Sequence, residues 1–437
     1  MSIELLSLLF VAAFILILLA GLPLAFATGA VAVVFALVLF GPPGLTLVIS
    51  RVFTLLGNYV LVSVPLFIFM ACILERAGIA EAIFKAVHVW CGRLPGGLAV
   101  AVIIACALMA AMVGVIGAEI VTMGVVALPA MLARGYKKDL ALGSICAGGG
   151  LATLIPPSVV LIMYGLTAGV SIGKLYAGGI IPGLMLAGLY IAYIILRCTR
   201  TPEIAPPASA AERAVPLAEK VALLKELLLP ALVAFGVLGS LYLGWATPTE
   251  AAGVGVGGAL LAMIANRKFS WRAIVHATRD TAKVTTMLYW LFFGSSAMIA
   301  VYTLAGGTRL IQDTMTALPL GPLGVIIMIQ VIWIILGCFI DWIGILLLTA
   351  PIFVPVAAKL GFDPIWLGVL FCMNMQISYI SPPFGPAAFY LKGVTPPGVT
   401  LGDIFRSIWP YMALQILALG LVIAFPGIAL WLPSTMN

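Results

Sequence analysis

Two stretches of the sequence decide the fold, and they repeat one pattern. The first is Gly-Gly-Gly-Leu-Ala-Thr-Leu-Ile-Pro-Pro-Ser at residues 148–158, and the second is Asn-Met-Gln-Ile-Ser-Tyr-Ile-Ser-Pro-Pro-Phe-Gly at residues 374–385. Each lies inside an apolar run long enough to cross a bilayer, yet the glycines and paired prolines oppose a continuous helix there. Broken helices at membrane depth are tolerated where the freed backbone faces protein or a wet cavity. The pattern therefore predicts two broken transmembrane helices, a construction typical of secondary transporters.

The composition indicates a polytopic membrane protein. Of the 437 residues, 64% are hydrophobic and only 8% are charged, against roughly 25% in soluble domains. The first apolar run, Ile3 to Leu22, has no basic flank and is followed at once by Leu24 to Phe40, so both are interpreted as retained helices rather than a cleaved leader. The seven cysteines form no CxxC pair and are expected to be small buried apolar residues.

The hydropathy pattern predicts an all-α protein with about 10–11 spans. Candidate spans cover 3–22, 24–40, 58–75, 140–165, 180–196, 227–244, 248–265, 284–304, 366–391 and 408–432. Two further apolar stretches, 97–133 and 320–356, are interrupted by glycine and an acid, and we interpret them as re-entrant helical hairpins. The alternative for each is a kinked span followed by an amphipathic helix.

The distribution of basic residues favours the hairpins. With an outside N-terminus and two re-entrant hairpins, 18 of the 22 basic residues fall in cytoplasmic segments. The four that remain outside are Arg51, Lys174, Arg309 and Lys359. Treating either hairpin as a single crossing would invert every later segment and weaken this bias, which sets membrane topology. Both termini are therefore predicted to be periplasmic.

The spacing of acids and prolines predicts an inverted repeat. Glu119 lies ten residues before Pro129, and Asp341 lies ten residues before Pro351. Under the charge-derived topology, the broken spans 140–165 and 366–391 run in opposite directions, which inverted repeats require. The predicted layout is N-terminal scaffold helices 1–57, a first repeat 58–196, a cytoplasmic linker 197–226, scaffold helices with a basic segment 227–283, and a second repeat 284–437. An amphipathic helix is expected in the linker around Glu212 to Glu226.

The polar residues at the breaks favour binding of a small hard cation. Unwound backbone exposes carbonyl oxygens, and half-helix ends carry partial charges of either sign. The neutral polar side chains there are Thr153, Ser158, Asn374, Gln376, Ser378 and Ser381. The acids at the hairpin tips, Glu119 and Asp341, either attract or gate a cation or cap a half-helix.

Several longer motifs resemble one known family, the large membrane subunit of tripartite ATP-independent periplasmic (TRAP) transporters. The motifs are LAGLPLAFATG (Leu19 to Gly29), GGGLATLIPPSVVLIMYG (Gly148 to Gly165), TAPIFVPVAAKLGFDPIWLGVL (Thr349 to Leu370) and NMQISYISPPFGPAAFYLKGV (Asn374 to Val394). The likeness extends over nearly the whole chain. Trp342 is a departure, because the family pattern suggests proline after the acid.

The resemblance implies Na⁺-coupled uptake of an organic acid across the bacterial inner membrane by an elevator mechanism. It also implies two partners, a small four-helix membrane subunit and a periplasmic binding protein that delivers the carboxylate substrate, and no organic cofactor. The implied Na⁺ and substrate positions are Gly114, Gly117, Glu119, Gly148, Gly149, Gly150, Thr153, Pro156, Pro157, Ser158, Gly337, Asp341, Asn374, Gln376, Ser378, Ser381, Pro382 and Pro383. Na⁺ itself is expected near Gly148, Thr153, Gly337, Asn374 and Ser381.

The sequence gives less support to other functions. A stand-alone ion-coupled anion carrier or antiporter of related fold, needing no binding protein, is the main alternative. An intramembrane enzyme requires a catalytic constellation at membrane depth, and the sequence shows no phosphate loop, HExxH or nucleophile elbow. No nucleic-acid-binding module is visible either.

Overall fold

The computed structural model describes residues 2–114, 117–206 and 216–436, and within these ranges it contains twenty α-helices and no strand. The first ten are α1 (Ile3–Leu19), α2 (Leu24–Phe40), α3 (Gly44–Leu56), α4 (Ser63–Arg76), α5 (Ile79–Cys91), α6 (Gly97–Val113), α7 (Ala118–Ala133), α8 (Lys138–Gly150), α9 (Val159–Ala168) and α10 (Ile172–Arg200). The others are α11 (Leu217–Tyr242), α12 (Pro248–Ala265), α13 (Trp271–Leu304), α14 (Gly307–Ala317), α15 (Gly321–Gly337), α16 (Trp342–Lys359), α17 (Pro364–Ile380), α18 (Pro386–Lys392), α19 (Leu401–Ala424) and α20 (Gly427–Ser434). The predicted all-α fold class is confirmed.

The two predicted hairpins are each a pair of helices joined by a short tip. α6 and α7 flank residues 114–117, of which 115–116 lie outside the described ranges, and α15 and α16 flank residues 338–341. The two predicted broken spans are also broken. α8 and α9 are separated by residues 151–158, and α17 and α18 by residues 381–385.

Fewer uninterrupted helices are of span length than the 10–11 predicted spans. Six described helices are long and apolar enough to cross a membrane, or seven if the bent helix α11 counts as one span. The number is lower because each hairpin and each broken span consists of two helices, most of which are too short to cross a bilayer alone. α1 and α2 each have 17 residues, slightly below the length that a bilayer usually requires.

Several predicted boundaries were wrong. The span predicted at 180–196 is the longer α10, and the span predicted at 284–304 is the 34-residue α13. The final span predicted at 408–432 is interrupted, because α19 ends at Ala424 and α20 starts at Gly427 after Pro426. The linker predicted at 197–226 is shorter at both ends, where α10 and α11 extend into it. Of its predicted amphipathic helix, residues 212–215 lie outside the described ranges.

Three amphipathic helices, α3, α5 and α14, lie outside the spans and hairpins predicted from hydropathy. α5 directly precedes the first hairpin and α14 precedes the second. α5 packs on α6 and also on α11, while α14 packs on α16 and also on α1 and α13. Each therefore connects two groups of helices. We call these the scaffold group (α1–α4 and α11–α13) and the hairpin group (α6–α10 and α15–α20).

The scaffold group is closed by a crossing of α2 and α13. Phe10, Val31, Val301 and Tyr302 belong to a small buried cluster there, separate from the main core. The helices approach closely at Gly294, where an added Cβ would collide with the Thr28 hydroxyl and lie 2.7 Å from the Ala25 carbonyl oxygen. Without a hydrophobic driving force between helices in lipid, such close packing is a main source of their association.

We predict that Gly294→Ala lowers the thermal unfolding midpoint in detergent, because the helices must separate at a cost of about 1–3 kcal/mol. Gly188→Ala in α10 is the matched control, since the structure places no described atom within 4 Å of its Cβ. Both changes favour the helix by about 1 kcal/mol, so the control midpoint should stay unchanged or rise. Equal midpoints for the two variants would contradict the close crossing.

Candidate functional site

The first break is held by hydroxyl groups that satisfy freed backbone. The Thr153 hydroxyl donates to the Gly150 carbonyl oxygen at 2.9 Å, and the Ser158 hydroxyl donates to the Thr153 carbonyl oxygen at 2.6 Å. Ser158 also accepts from the Leu161 N–H at 3.4 Å and so caps α9. Both polar side chains at this break, Thr153 and Ser158, are therefore used locally, and both are buried.

The second break is built from a tight turn after α17. The Gly385 N–H donates to the Ser381 carbonyl oxygen at 2.8 Å, and the Ser381 hydroxyl donates to the Ser378 carbonyl oxygen at 3.2 Å. Both breaks contain a cis peptide bond, at Pro156–Pro157 and at Pro382–Pro383. The pairs of prolines thus occupy equivalent places in the two halves.

Glycine lets each hairpin approach the broken helix of its own half. A Cβ at Gly114 would collide with the Pro157 carbonyl oxygen, and a Cβ at Gly337 would collide with the Ser378 hydroxyl. Gly148 and Gly149 serve the same purpose in α8. A Cβ at Gly148 would lie 3.0 Å from the Cys106 sulfur in α6, and one at Gly149 would collide with the Ile120 side chain in α7.

Amides of α17 link the two halves and leave acceptor oxygens free. The Gln376 side-chain N–H donates to the Gly150 carbonyl oxygen at 2.9 Å, which joins the second broken helix to the first. The Asn374 side-chain N–H donates to the Gln330 carbonyl oxygen at 2.9 Å. The amide oxygens of Asn374 and Gln376 are buried and have no hydrogen-bond partner within the described part of the chain. Buried acceptors without a partner are uncommon, so these two oxygens mark polar positions close to the second break.

The two tip acids occupy different environments. Asp341 caps α16, because its Oδ2 accepts from the Ile343 N–H at 3.4 Å. Glu119 is fully buried in the first turn of α7, close to the positive end of that helix. Neither carboxyl oxygen of Glu119 has a hydrogen-bond partner among the residues that the structure describes. Asp341 therefore acts as a helix cap, while the Glu119 carboxyl group makes no such bond to a residue in the described ranges.

A narrow cavity of about 10 Å³ lies where the second hairpin tip meets both broken helices. Its lining includes Thr153 of the first break, Gly337 and Asp341 of the second hairpin, and Ser378 of α17. A volume of about 10–15 Å³ holds a single water-sized particle. Thr153, Asp341 and Ser378 therefore bring oxygen-bearing side chains to a mainly apolar space of the size of one small cation.

A wider cavity of about 420 Å³ lies next to the narrow one, between the hairpin group and the scaffold group. The two cavities share five lining residues, Asp341, Trp342, Tyr379, Phe384 and Pro386. The rest of its lining is Pro23, Leu24, Ala25, Ile68, Gly114, Val159, Val160, Val284, Met287, Leu288, Leu291, Ile343 and Tyr390. Its volume lies in the range of about 300–1,000 Å³ that is usual for small-molecule sites.

The structure brings together part of the predicted site. Of the predicted positions, Thr153, Gly337, Asp341 and Ser378 line the narrow cavity, and Gly114 and Asp341 line the wider one. The four prolines, Gly117, Glu119, Gly148, Gly149, Gly150, Ser158, Asn374, Gln376 and Ser381 do not line either cavity. They pack or hydrogen-bond around the breaks.

Other lining residues were missed from the sequence. Tyr379 lies inside the second motif and could have been found from its position between Ser378 and Ser381. Leu24, Met287 and Leu291 belong to the scaffold group and carry no polar signal, so nothing in the sequence separates them from lipid-facing residues.

Two hairpins and two broken helices around buried polar groups define a membrane transport fold. The YdaH transporter of Alcanivorax borkumensis shares this fold, with a TM-score of 0.62 at 18% sequence identity over 96% of this chain and 98% of that chain. A family model described as "Tripartite ATP-independent periplasmic transporter, DctM component" matches residues 11–428. The chain belongs to this family, which confirms the resemblance and makes the protein a transport permease component rather than an enzyme.

Curated relatives cover nearly the whole chain. The C4-dicarboxylate TRAP transporter large permease of Pseudomonas aeruginosa is 31% identical over 404 residues, 92% of each chain. The ectoine TRAP transporter large permease of Halomonas elongata is 31% identical over 427 residues, 97% of each chain. The family therefore supports solute uptake by a multi-pass permease that works with a binding protein.

We predict that Gly337→Ala lowers the thermal unfolding midpoint and that a second change, Ser378→Gly, restores it. The reason is steric, since the new Cβ collides with the Ser378 side chain but lies 3.4 Å from its Cα. Thermal unfolding of the two single variants and the double variant measures the coupling between them. Additive effects in the double variant would show that the tip does not pack on α17 as described.

Proposed function

We propose that the protein drives Na⁺-coupled uptake of an organic acid across the bacterial inner membrane, with substrate delivered by a periplasmic binding protein. The observation that carries this proposal is the pair of adjoining cavities. One has the size of a single ion and includes Thr153, Asp341 and Ser378 in its lining, and the other has the size of an organic acid.

The oxygen atoms around the narrow cavity suit Na⁺. Neutral hydroxyls, carbonyls and amide oxygens replace the hydration shell of a hard cation without several buried charges. Thr153 and Ser378 come from different halves of the chain, so an ion between them holds the halves together. Among the predicted Na⁺ positions, Thr153 and Gly337 line this cavity, while Asn374 lies within α17 and Ser381 is the C-terminal cap of that helix.

The position of the wider cavity supports an elevator mechanism. Its lining comes from both hairpin tips and both broken helices on one side, and from α2, α4 and α13 on the other. Movement of the hairpin group along the scaffold group would carry a bound substrate past these scaffold residues. The connecting helices α5 and α14 contact both groups and would act as the joints.

The membrane orientation derived from the basic residues indicates to which side of the membrane the wider cavity opens. In that orientation the N-terminal ends of α2 and α13 are cytoplasmic, so Leu24 and Val284 place the wider cavity in the inner half of the membrane. A separate open cavity of about 990 Å³, lined by Asn58, Lys174 and Gly244 among others, lies on the predicted periplasmic side. The structure would then represent an inward-facing state with both termini periplasmic.

Two partners complete the proposed system. The family supports a TRAP assembly with a binding protein, and we propose that a separate small four-helix membrane subunit packs against the scaffold group. The names of the relatives include a C4-dicarboxylate and an ectoine transporter, so a carboxylate-bearing solute is the common feature that we propose for this chain.

We predict that proteoliposomes containing both membrane subunits take up an organic acid only with an inward Na⁺ gradient and the loaded binding protein. Replacing Na⁺ by choline at fixed pH should reduce the initial rate to background. Uptake that survives the replacement would remove Na⁺ coupling from the proposal. Transport by this chain alone, without the binding protein, would instead favour a stand-alone anion carrier or antiporter.

We predict that Thr153→Val weakens Na⁺ activation of uptake by about ten-fold or more, because an oxygen is replaced by a methyl group of the same shape at the narrow cavity. Thr167→Val in α9 is the matched control. The Thr167 hydroxyl also bonds to its own helix, at 2.8 Å to the Met163 carbonyl oxygen, but Thr167 lines neither cavity. For both variants, the initial uptake rate and the unfolding midpoint are measured as a function of Na⁺ concentration. Equal Na⁺ activation in both would place the ion elsewhere.

A further inference from the structure

The wider cavity has an unusual lining for a site that binds anions. Among its described lining residues, the charged side chain is Asp341, and lysine, arginine and histidine do not occur. Four aromatic side chains, Trp342, Tyr379, Phe384 and Tyr390, face aliphatic residues of the scaffold group across the cavity. The lining is therefore mainly apolar, with few groups that can compensate a negative charge.

The groups that could bind a carboxylate lie at one end of the wider cavity, which we call the carboxylate pole. Tyr379 is only 5% exposed, its hydroxyl has no hydrogen-bond partner within the described ranges, and the residue lines both cavities. Val159 and Val160, at the N-terminal end of the ten-residue helix α9, line the wider cavity as well. Because the Val159 N–H donates to the Gly114 carbonyl oxygen and the Leu161 N–H donates to Ser158, this helix end offers a carboxylate mainly its partial positive charge. A hydroxyl donor and a helix N-terminus together favour one carboxylate, and a neighbouring Na⁺ would add to this preference.

The described lining provides no second group of donors for the other carboxylate of a dicarboxylate. Asp341 contributes its own negative charge to the lining, and like charges repel strongly where water is scarce. A dicarboxylate would need a cationic side chain at its other end, which the described lining does not provide. A polyhydroxylated acid is disfavoured too, because its hydroxyl groups would lose water without gaining hydrogen bonds.

The opposite part of the cavity suits a flat apolar group. Trp342 is the first residue of α16 at the tip of the second hairpin, and Phe384 lies in the second break, so both belong to the part that would move with the substrate. Met287 and Leu291 of α13 complete the wall from the scaffold side. Aromatic rings stack favourably against such side chains and are removed from water there.

We propose that the cavity selects a monocarboxylate with an aromatic body, and that Trp342 and Tyr379 determine this specificity. Tyr379 binds the carboxylate, and Trp342 packs on the ring. This inference rests on the proposed function, because it assigns a substrate class to the same cavity. It separates this chain from a permease for C4-dicarboxylates, although such a permease is among its relatives.

The test measures binding to the purified chain, together with its small membrane subunit in nanodiscs, in NaCl. The probes are phenylacetate, succinate and N-acetylneuraminate, titrated by thermal shift and by calorimetry. Phenylacetate should bind about ten-fold or more tightly than either of the others. Trp342→Ala should weaken phenylacetate binding by about ten-fold, while Trp342→Phe should largely retain it because a ring remains.

The controls separate binding from folding. Trp431→Ala changes an outer tryptophan that is 63% exposed and lines neither cavity, so it should leave phenylacetate binding unchanged. Tyr379→Phe keeps the ring and removes only the hydroxyl, so it should weaken phenylacetate but not the neutral isostere phenylacetamide. Unfolding midpoints in the absence of probe show whether a variant has folded.

Each of the following results would overturn all or part of the inference. Succinate or N-acetylneuraminate binding as tightly as phenylacetate would overturn the substrate class, and so would the absence of binding by all three. Unchanged phenylacetate binding by Trp342→Ala would overturn the role of Trp342. Na⁺- and binding-protein-dependent uptake of succinate would overturn this inference alone and leave the proposed function intact, whereas uptake that ignores Na⁺ would contradict the proposed function instead.

Discussion

Peptide groups released from a helix inside a membrane must find partners within the protein, because the lipid offers none. Both breaks in this chain meet that constraint with short local bonds and with one bond between the halves. Ser158 and Thr153 satisfy carbonyl oxygens in the first break, and Gln376 reaches from the second broken helix to the Gly150 carbonyl oxygen. The first break is therefore held both by its own hydroxyl groups and by a side chain of the second broken helix.

Glycine makes this arrangement sterically feasible. Gly114 and Gly337 allow the hairpin tips to touch the broken helices, and Gly148 and Gly149 allow α8 to lie against the first hairpin. The close fit leaves a space of about 10 Å³ between the halves and a larger one of about 420 Å³ against the scaffold group. Alternating access requires such a site to open to each side in turn, and under the proposed elevator mechanism the hairpin group would carry it along the scaffold group.

The sequence predicted the features that depend on local composition. Glycine and proline at 148–158 and 374–385 marked the breaks, and the interrupted apolar stretches marked both hairpins. Hydropathy failed where the helix is amphipathic. α5 and α14 combine polar and apolar faces, so an averaged window reads them as loops, although they connect the two helix groups. Pro426 ends α19, which an average over the last apolar run cannot detect.

By itself, the sequence determined the membrane class, the family and the two broken helices, because apolar length and helix-breaking residues act within a few positions along the chain. The tertiary structure decided which polar groups meet. It left the Asn374 and Gln376 amide oxygens without a hydrogen-bond partner among the described residues, used Asp341 as a helix cap, and brought Tyr379 and Trp342 to the wall of the wider cavity. These outcomes depend on contacts between residues far apart in the chain, since scaffold residues such as Met287 and Leu291 complete the cavity only after the two groups have packed.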